Sequence, residues 1–427
     1  MASVLLAAVL AAPIAAGTAT HGGAVPGAAI VRVTSLADSG PGTLRAAVQT
    51  SGPKVIVFDV GGVIHLDSDL KLSTPQTTIA GQSAPAPVTL TGASLRLRAN
   101  DLVVQHIAVR RGPGESPEIN GNRDAVTIGG GTRPVNDIRL ENVSLSWSVD
   151  GGLDVAGDVR NVVVRDSIIA EALRNAGHPK GDHSMGMLIN LGSQAVAVTG
   201  NLLAANMFRN PAIARGSSAF VGYNLIADPA ENAIHFYDAA GPAPLQASVI
   251  GNVVVPGRDT DSNVTAVQIP DDMAGRLSDA AIYLADNQAP AGTVTNRGNF
   301  VLAAAPPVTL QQNPPADVRT SVLKYAGARP AARDAVDARI VSQAAAGSLK
   351  IIDKPADVGG LPDQTPVQQA AEIPTAPFDP SGQVGLLRIE AWLCQRHRDL
   401  GGQATPQCPQ EPSAYRALLQ ARASQGR

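Results

Sequence analysis

The chain is poor in aromatic side chains, cysteine and charge. Phe, Trp and Tyr make up 3% of its 427 residues, and there are 2 cysteines. A composition with few aromatic residues, 42 Gly and 32 Pro is typical of many short strands joined by turns, not of a helical bundle. The 33 Lys and Arg nearly balance the 36 Asp and Glu, which argues against a broad nucleic-acid-binding surface.

Motifs that identify several common enzyme classes are also missing. The sequence has no Walker loop, no GxGxxG after a strand and no GxSxG, so nucleotide-binding and serine-hydrolase functions have little support. Beyond the first 19 residues, no apolar run is long enough to cross a bilayer.

Residues 1–19 are uncharged and combine an apolar stretch of signal-peptide length with small residues that suit cleavage near Ala19. The n-region lacks Lys and Arg, so an Ala-rich leader of another kind stays open. We expect a secreted or periplasmic protein with no membrane contact after cleavage. In such a compartment Cys394 and Cys408 either close a small disulfide loop or remain two free thiols.

A short apolar strand followed by a polar or glycine turn recurs through the middle of the chain. Its spacing of about 23 to 36 residues is typical of stacked coils, and the longer intervals contain inserted loops at 111–124 and 171–190. The equivalent turn positions are His106, Asn142, Asp166, Gly200, Tyr223 and Gly251. This pattern predicts a parallel β-helix, with Asn142, Asn201, Asn224 and Asn252 as candidates for a structural ladder rather than for catalysis.

The solenoid is expected to occupy residues 20–305, with a short helical cap at 43–48 (TLRAAV). Residues 306–427 are rich in Pro and Ala, with helical spacing at 385–399 and 413–425. We interpret them as a partly irregular, partly disordered C-terminal extension that wraps the solenoid.

Carboxylates are the most informative candidate site residues. Asp124 lies in NRDAVTI, whereas Asp150 and Asp154 lie in WSVDGGLD on both sides of a glycine turn. Side chains from neighbouring coils would form an oxygen-rich site for Ca²⁺, which accepts irregular coordination geometry. The alternative is that acidic residues beside glycine are simply turn formers.

Two further groups carry positive charge. Arg209 and Arg215 in RNPAIAR suit carboxylate recognition, although surface or structural roles fit them equally well. His178, Lys180 and His183 in HPKGDHS match neither a zinc motif with further Cys or His ligands nor a catalytic triad, so loop roles are the default. We expect His235 and Trp147 to be packing or turn residues.

Taken together, several segments resemble bacterial pectate lyases of polysaccharide lyase family 1 over about residues 31–360. The matching segments are VRVTSLADSGPGTLRAAV, VIVFDVGGVIHL, TTIAGQSAP, RDAVTI, VSLSWSVDGGLDV, IIAEAL, HPKGDHSMGMLI, RNP and DAVDARIVSQAAAGSLKIID followed by ADVGG. Their number and order carry the resemblance, because no single one is decisive.

The resemblance implies an all-β, right-handed parallel β-helix that cleaves polygalacturonate by Ca²⁺-assisted β-elimination in an outer groove. It assigns the metal to Asp124, Asp150 and Asp154, and the catalytic base to Arg209. It gives substrate binding to Arg215, Lys180 and His183. A monomer that acts on an acidic polysaccharide is expected. Free arginine has a pKa above about 12, so we predict an alkaline activity optimum.

The chain also departs from the family pattern. Ala212 stands where an arginine is usual, and Met185 occupies a place where a lysine is expected. A non-catalytic or weakened polysaccharide-binding β-helix therefore remains an alternative, as does a lyase for another uronate polymer. The Asp-Asp and Gly-His-Gly elements of a hydrolytic polygalacturonase are missing, and the three carboxylates argue against a calcium-independent pectin lyase.

Overall fold

Thirty short strands dominate the part of the chain that the structure describes. This computed structural model describes residues 12–17, 20–25, 27–114, 123–238, 244–270, 280–296, 300–373, 383–405 and 408. In chain order the strands begin with β1 (Ile14–Ala16), β2 (Ala29–Val33), β3 (Lys54–Phe58), β4 (Val60–His65), β5 (Leu70–Leu72), β6 (Thr77–Ala80), β7 (Val88–Thr91), β8 (Leu95–Leu97), β9 (Leu102–Gln105), β10 (Ala108–Arg110), β11 (Val126–Gly129), β12 (Val135–Glu141), β13 (Ser144–Ser146), β14 (Gly151–Ala156) and β15 (Val159–Arg165). They continue with β16 (Ile168–Ala170), β17 (Met185–Ile189), β18 (Ser193–Thr199), β19 (Leu202–Ala204), β20 (Ala212–Ala214), β21 (Ser218–Gly222), β22 (Leu225–Ala227), β23 (Ile234–Tyr237), β24 (Gln246–Ile250), β25 (Val253–Val255), β26 (Val267–Ile269), β27 (Ala281–Ala285), β28 (Val294–Asn296), β29 (Val308–Leu310) and β30 (Val367–Gln368).

Successive strands enter three different sheets in turn, so each coil adds one strand to each sheet. Sheet I has the order β2-β3-β6-β9-β12-β15-β18-β21-β24-β27, and sheet II has the order β5-β8-β11-β14-β17-β20-β23-β26-β28. Sheet III runs β30-β4-β7-β10-β13-β16-β19-β22-β25. Strand pairs between neighbouring coils are parallel, for example β12 with β15 and β14 with β17. The predicted parallel β-helix is therefore confirmed.

The interior is a continuous apolar column that every coil lengthens. Side chains alternate along each strand, so residues two apart point the same way. In β14, Leu153 and Val155 are fully buried and face the column, while Asp154 between them faces outward. No single coil buries this apolar face alone, and stacking supplies the missing partner above and below.

A left-handed residue follows the strands of sheet I from β9 onward. His106, Asn142, Asp166 and Tyr223 all have φ between 49° and 57°, and Gly200 and Gly251 occupy the same row with φ of 69° and 65°. These are the equivalent turn positions expected from the sequence, and strand pairing confirms their alignment. The turn requires positive φ, which glycine adopts without strain and other residues adopt at a cost.

An asparagine ladder occupies the next position in four consecutive coils. The side-chain amide of Asn201 donates to Asn224 Oδ1 at 3.0 Å, Asn224 donates to Asn252 at 2.9 Å, and Asn252 donates to Asn287 at 2.8 Å. Asn142 lies in the left-handed row instead, and its amide donates to the carbonyls of Tyr325 and Gly327. The ladder prediction therefore holds for Asn201, Asn224 and Asn252, but Asn142 anchors the C-terminal segment.

Four α-helices among the described residues lie outside the column. They are α1 (Leu44–Gln49), α2 (Val318–Tyr325), α3 (Ala335–Ala346) and α4 (Gln383–Asp399). The N-terminal helix α1 coincides with the predicted cap and buries Leu44 and Val48 in the main core. The sequence pattern indicated α4, but α2 and α3 were not expected. The second stretch with helical spacing, 413–425, lies outside the described residues.

The C-terminal helices are attached to the solenoid by both apolar and charged contacts. Val322 of α2 and Ile340 of α3 pack on the outer face of sheet III, and Leu393 of α4 packs on Val55 and Val57 of sheet I. These contacts support the interpretation of 306–427 as a wrapping segment.

A buried ion pair fastens α3 to sheet III. The fully buried guanidinium of Arg110 donates to Asp334 at 2.8 Å and to Asp337 at 2.8 Å. Asp334 is also the N-cap of α3, accepting the backbone N–H of Asp337.

Short strands and two thiols complete the outer layer. β30 pairs antiparallel with β4 and ends sheet III, and β1 pairs with β29 across sheet I.

Cys394 and Cys408 are free thiols with hydrogen-bonded side chains, so of the two alternatives the structure has the reduced one. No helix among the described residues has the length and hydropathy needed to span a membrane.

Candidate active site

The outer face of sheet II carries a row of polar side chains in register. Strand pairing aligns Arg96 with Thr127, Thr127 with Asp154, and Asp154 with Leu188. The row continues through Ala212 to His235, because these residues pair in turn on β20 and β23. Parallel coils are about 4.8 Å apart, so neighbours in this row are in side-chain contact range.

The three predicted carboxylates converge at the start of β14. Asp124 Oδ1 accepts the backbone N–H of Gly151 at 3.0 Å, which fixes the carboxylate one coil below the glycine turn. A methyl group added at Gly151 would lie 2.7 Å from Asp154 Oδ1 and 3.2 Å from Asp124 Oδ1. A side chain at position 151 would therefore clash with these carboxylates, and glycine lets Asp124 and Asp154 approach each other. Asp150 directly precedes this glycine.

Arg96 supports Asp124 from the adjacent coil. Its guanidinium donates to Asp69 Oδ2 at 2.9 Å and to Thr127 Oγ1 at 2.5 Å, and lies 3.6 Å from Asp124 Oδ2. Thr127 in turn donates to Asp124 Oδ2 at 2.9 Å. Asp124 is thus held in position by hydrogen bonds.

Repulsion among the three carboxylates makes the site favourable for a bound cation. Burial and the charge of Asp150 raise the pKa of Asp124 to about 6. Burial and the charge of Asp124 also raise the pKa of Asp154, although Arg209 opposes this. Asp154 Oδ1 is buried and has no hydrogen-bond partner among the described residues. A cation placed between these carboxylates would remove both penalties.

The donor chemistry fits calcium. Asp124, Asp150 and Asp154 supply only oxygen atoms, which hard divalent cations prefer, and Ca²⁺ tolerates irregular geometry and water as further ligands. The Oδ1 of Asp154, which has no hydrogen-bond partner among the described residues and lies beside Gly151, gives such an ion an unused ligand atom.

Arg209 lies two coils beyond the carboxylates, immediately before β20. Its carbonyl accepts the N–H of Met187 at 2.6 Å, and the residue has a left-handed φ of 61°. The positive charge of the half-buried guanidinium partly offsets the rise in the pKa of Asp154. Together with burial, which has the larger effect, it lowers the pKa of His235. Arg209 and the carboxylates therefore face one outer surface of sheet II.

The loop between β16 and β17 brings His178 and His183 to Asp150. His183 Nε2 lies 3.2 Å from Asp150 Oδ1, and His178 Nε2 lies 3.9 Å from Asp150 Oδ2. Both rings are buried, whereas Lys180 between them is exposed. The structure therefore places His183 beside a predicted metal ligand, and Lys180 at the rim.

Other predicted positions are engaged differently. Arg215 follows β20, and its Nε donates to Asp238 Oδ1 at 2.6 Å, so this guanidinium is already paired. Met185 is buried at the start of β17, next to Gly151 in the register. The side chain beside Asp154 is Leu188, with Ala212 in the following coil. The row is therefore apolar at Leu188 and at Ala212, and at Ala212 the family pattern suggested an arginine.

Sequence reasoning missed Arg96 and Tyr237 and assigned His235 a packing role. Burial raises the pKa of Tyr237 to about 12, and its hydroxyl donates to Asn190 Oδ1 at 2.9 Å, close enough to Arg209 and Asp154 to feel their charges. His235 lies in the outward-facing row of sheet II. Trp147 packs in the apolar cluster between sheet III and the C-terminal helices, as expected. The LRL pattern around Arg96, with an outward residue between two buried leucines, is the one signal that was available.

No protein-family model matches the chain, so its similarity to known proteins is given by individual relatives. It is 32% identical to the probable pectate lyase C of Aspergillus flavus over 356 residues, covering 78% of this chain and 76% of the relative. The probable pectate lyase C of Neosartorya fischeri is 30% identical over 354 residues, covering 77% and 76%. These relatives are fungal, which corrects the expectation of bacterial ones.

Solved structures give a weaker likeness. The major cedar pollen allergen Jun a 1 is 16% identical with a TM-score of 0.48, covering 77% of this chain and 90% of the allergen. A pectate lyase variant from Xanthomonas campestris is 13% identical with a TM-score of 0.46, covering 74% and 100%. Because these scores are low, the fold assignment rests on the strand pairing described above.

Sequence identity and coverage are the decisive comparison. Identities of 30% or more extend over about three quarters of both this chain and its relatives. They include the coils that carry the convergent carboxylates. The chain therefore belongs to the pectate lyase family, a family of polysaccharide lyases.

Proposed function

We propose that the protein cleaves polygalacturonate by β-elimination with the help of Ca²⁺ bound to Asp124, Asp150 and Asp154. The observation that carries this proposal is the convergence of these carboxylates and Arg209 on one outer surface of sheet II. The names of the relatives supply the substrate class.

The reaction breaks the C5–H bond of a galacturonate and the C4–O bond of the glycosidic link. Arg209 takes the C5 proton, and the electron pair of the C5–H bond forms a C4=C5 double bond. The glycosidic oxygen departs with the electron pair of the C4–O bond. When bound, Ca²⁺ stabilises the negative charge that builds on the adjacent uronate carboxylate.

Residues of the chain itself orient the substrate. Arg96 and Thr127 hold Asp124, and Asn190 holds the Tyr237 hydroxyl at the edge of the groove. Lys180 is exposed at the rim, where its ammonium group can meet a second uronate carboxylate. We assign His183 a contact to substrate or to Asp150, and Arg215 to substrate only when it exchanges its contact with Asp238.

One assay tests this proposal. Purified protein is mixed with polygalacturonate, with and without a calcium chelator, and the ultraviolet absorbance of unsaturated chain ends is followed. We expect an increase in absorbance that chelation abolishes and added Ca²⁺ restores. Reducing ends that form without this absorbance would instead indicate hydrolysis.

The role of Arg209 has a separate test. We expect Arg209→Ala to lower kcat by about 10²-fold or more, because a positioned proton acceptor contributes about that much. Arg160→Ala is the matched control, since Arg160 is an exposed arginine on β15. Full activity in the Arg209→Ala protein would disprove the assignment.

A non-catalytic polysaccharide-binding β-helix is the second candidate. Ala212 and Met185 favour it, because they supply no charge to a bound uronate where the family pattern has cations. Retained binding of polygalacturonate with neither absorbance nor reducing ends would support this candidate. The same assay with other uronate polymers tests a shifted substrate.

We also propose export to the periplasm or the medium, supported by the uncharged apolar segment at 1–19 and by a polymeric substrate. Ile14–Ala16 within that segment pair with Val308–Leu310, so cleavage near Ala19 would remove this strand from the mature protein. Sequencing the N-terminus of exported protein tests the proposal, and an intact Met1 in the exported fraction would contradict cleavage.

A further inference from the structure

Asp150, His178 and His183 form a cluster whose chemistry differs from that of the calcium ligands. One ligand atom from each lies within 4.8 Å of the other two. Ca²⁺ takes oxygen ligands, so two imidazoles have no role in holding it. Imidazole nitrogen combined with a carboxylate suits Zn²⁺, Co²⁺ and related ions.

We propose that Asp150, His178 and His183 bind a divalent first-row transition ion, at a site that shares Asp150 with the carboxylates over Gly151. The site goes beyond the proposed lyase function, because its existence does not depend on catalysis.

The stacking of the coils builds this site. Gly151 pairs with Met185 in adjacent strands, so Asp150 and the residues just before Met185 lie at the same edge of sheet II. His183 is fixed there by its backbone N–H, which donates to the carbonyl of Arg174 at 2.9 Å. The guanidinium of Arg174 is itself paired with Asp353 at 3.2 Å. The loop is therefore anchored at both the backbone and the side-chain level.

The geometry is close to that of a three-ligand metal site. His183 Nε2 and Asp150 Oδ1 are 3.2 Å apart, near the edge of about 3.4 Å that bonds of about 2.1 Å give in a tetrahedron. The His178 and His183 rings are stacked with centroids 3.4 Å apart and planes inclined by 17°. Both Nε2 atoms lie beside the Asp150 carboxylate, at 3.2 Å for His183 and 3.9 Å for His178. Three protein ligands leave one position open.

Burial makes the imidazoles suitable donors. The side chains of His178 and His183 are 2% and 6% exposed, and Asp150 is 20% exposed, so of the three ligands the carboxylate is the most accessible to solvent. In the metal-free protein, the N–H of Lys180 donates to His178 Nδ1 at 3.1 Å. A metal ion at Nε2 places the ring proton on Nδ1, so this contact opens and the residues around Lys180 shift.

Metal titrations without substrate test the proposal. The full chain, free of any affinity tag and stripped with a chelator, is titrated with Co²⁺ while visible absorbance is followed, and with Zn²⁺ in a calorimeter. We expect one ion per chain, with the intense visible bands of low-coordinate Co²⁺. His178→Gln and His183→Gln should each weaken Zn²⁺ binding by about tenfold or more. His65→Gln, which alters an exposed histidine outside the cluster, should leave it unchanged.

A second measurement does not depend on the folding of variants. Carbethoxylation of the wild-type protein, mapped by mass spectrometry, should show His178 and His183 protected by Zn²⁺ while His65 is not. Zn²⁺ binding that both glutamine variants retain at full strength would overturn the proposal. Equal modification of His178 and His183 with and without Zn²⁺ would overturn it as well. Neither result bears on the lyase assay, so the two proposals fail independently.

Discussion

Gly151 is the residue on which the carboxylate cluster depends most directly. Its missing side chain lets Asp124 and Asp154 face the same space. We expect Gly151→Ala to weaken Ca²⁺ binding by about tenfold, equivalent to about 1.4 kcal/mol, because the methyl group fills that space. Calorimetric titration with Ca²⁺ measures the change.

Gly131→Ala is the matched control for this experiment. A methyl group there would meet only the flexible end of Arg98, away from the carboxylates. Equal Ca²⁺ affinity in both alanine variants would show that the space over Gly151 does not hold the ion.

Asp166 gives the stability of the protein a pH dependence. Burial raises the pKa of Asp166 to about 7, despite Arg165 at 3.9 Å. The folded protein therefore keeps a proton that the unfolded chain releases near pH 4, and this contribution to stability is lost as pH rises through about 7. The slope is up to about 1.4 kcal/mol per pH unit.

We expect Asp166→Asn to remove that slope, because the amide stays neutral and asparagine tolerates the left-handed φ of 49° at this position. The variant should match the wild type near pH 4 and exceed it in free energy of unfolding at pH 8. Urea denaturation at both pH values measures this. Parallel pH profiles for the two proteins would be inconsistent with a protonated Asp166.

At the scale of elements, the asparagine ladder joins coils that the apolar column alone would leave free to slip. Asn224 donates to Asn252 and accepts from Asn201, all in the buried turn. We expect Asn224→Leu to lower the free energy of unfolding by about 3 kcal/mol, since it removes the buried acceptor of the Asn201 backbone N–H and the buried donor to the Val198 carbonyl. Urea denaturation compares it with Asn175→Leu, at an exposed position. A similar loss in both variants would mean that the ladder adds nothing.

The sequence predicted the coils well because each one repeats the same local physics. An apolar strand, a left-handed turn residue and an amide recur, so His106, Tyr223 and Gly251 aligned correctly without a structure. The pattern does not encode how far a loop folds back. The contact of His183 with Asp150 depends on the path of residues 171–184, which no repeat specifies. Arg96 was missed for a similar reason, because its role appears only when adjacent coils are in register.

Helices α2 and α3 escaped prediction because they are stabilised by the solenoid they cover. Their short sequences are rich in Ala and Val, and their apolar sides gain stability only against the outer face of sheet III. By contrast α4 spans 17 residues and shows helical spacing over enough turns to be recognised.

At the scale of the whole molecule, Arg110 ties the C-terminal segment to the β-helix. Its side chain is fully buried between Asp334 and Asp337, which are also mostly buried. We expect Arg110→Met to lower the free energy of unfolding by about 3 to 5 kcal/mol, because two carboxylates lose their only buried cationic partner among the described residues. Urea denaturation measures the loss, and limited proteolysis should then cut first between residues 318 and 346.

Arg319→Met serves as the comparison, because Arg319 on α2 is exposed and its guanidinium donates to the carbonyl of Ala345. An Arg110→Met protein as stable as the Arg319→Met protein would show that the apolar contacts of α2 and α3 suffice to hold the segment.

The antiparallel pairing of β30 with β4 has a consequence for association between molecules. A parallel β-helix ends in open strands whose unpaired N–H and C=O groups are a template for another chain. β30 runs against the direction of all other strands in sheet III, so a second solenoid cannot extend sheet III in register at that end. We expect a chain without Val367 and Gln368 to join end to end into filaments, and the short reversed strand to act as a terminator of polymer growth.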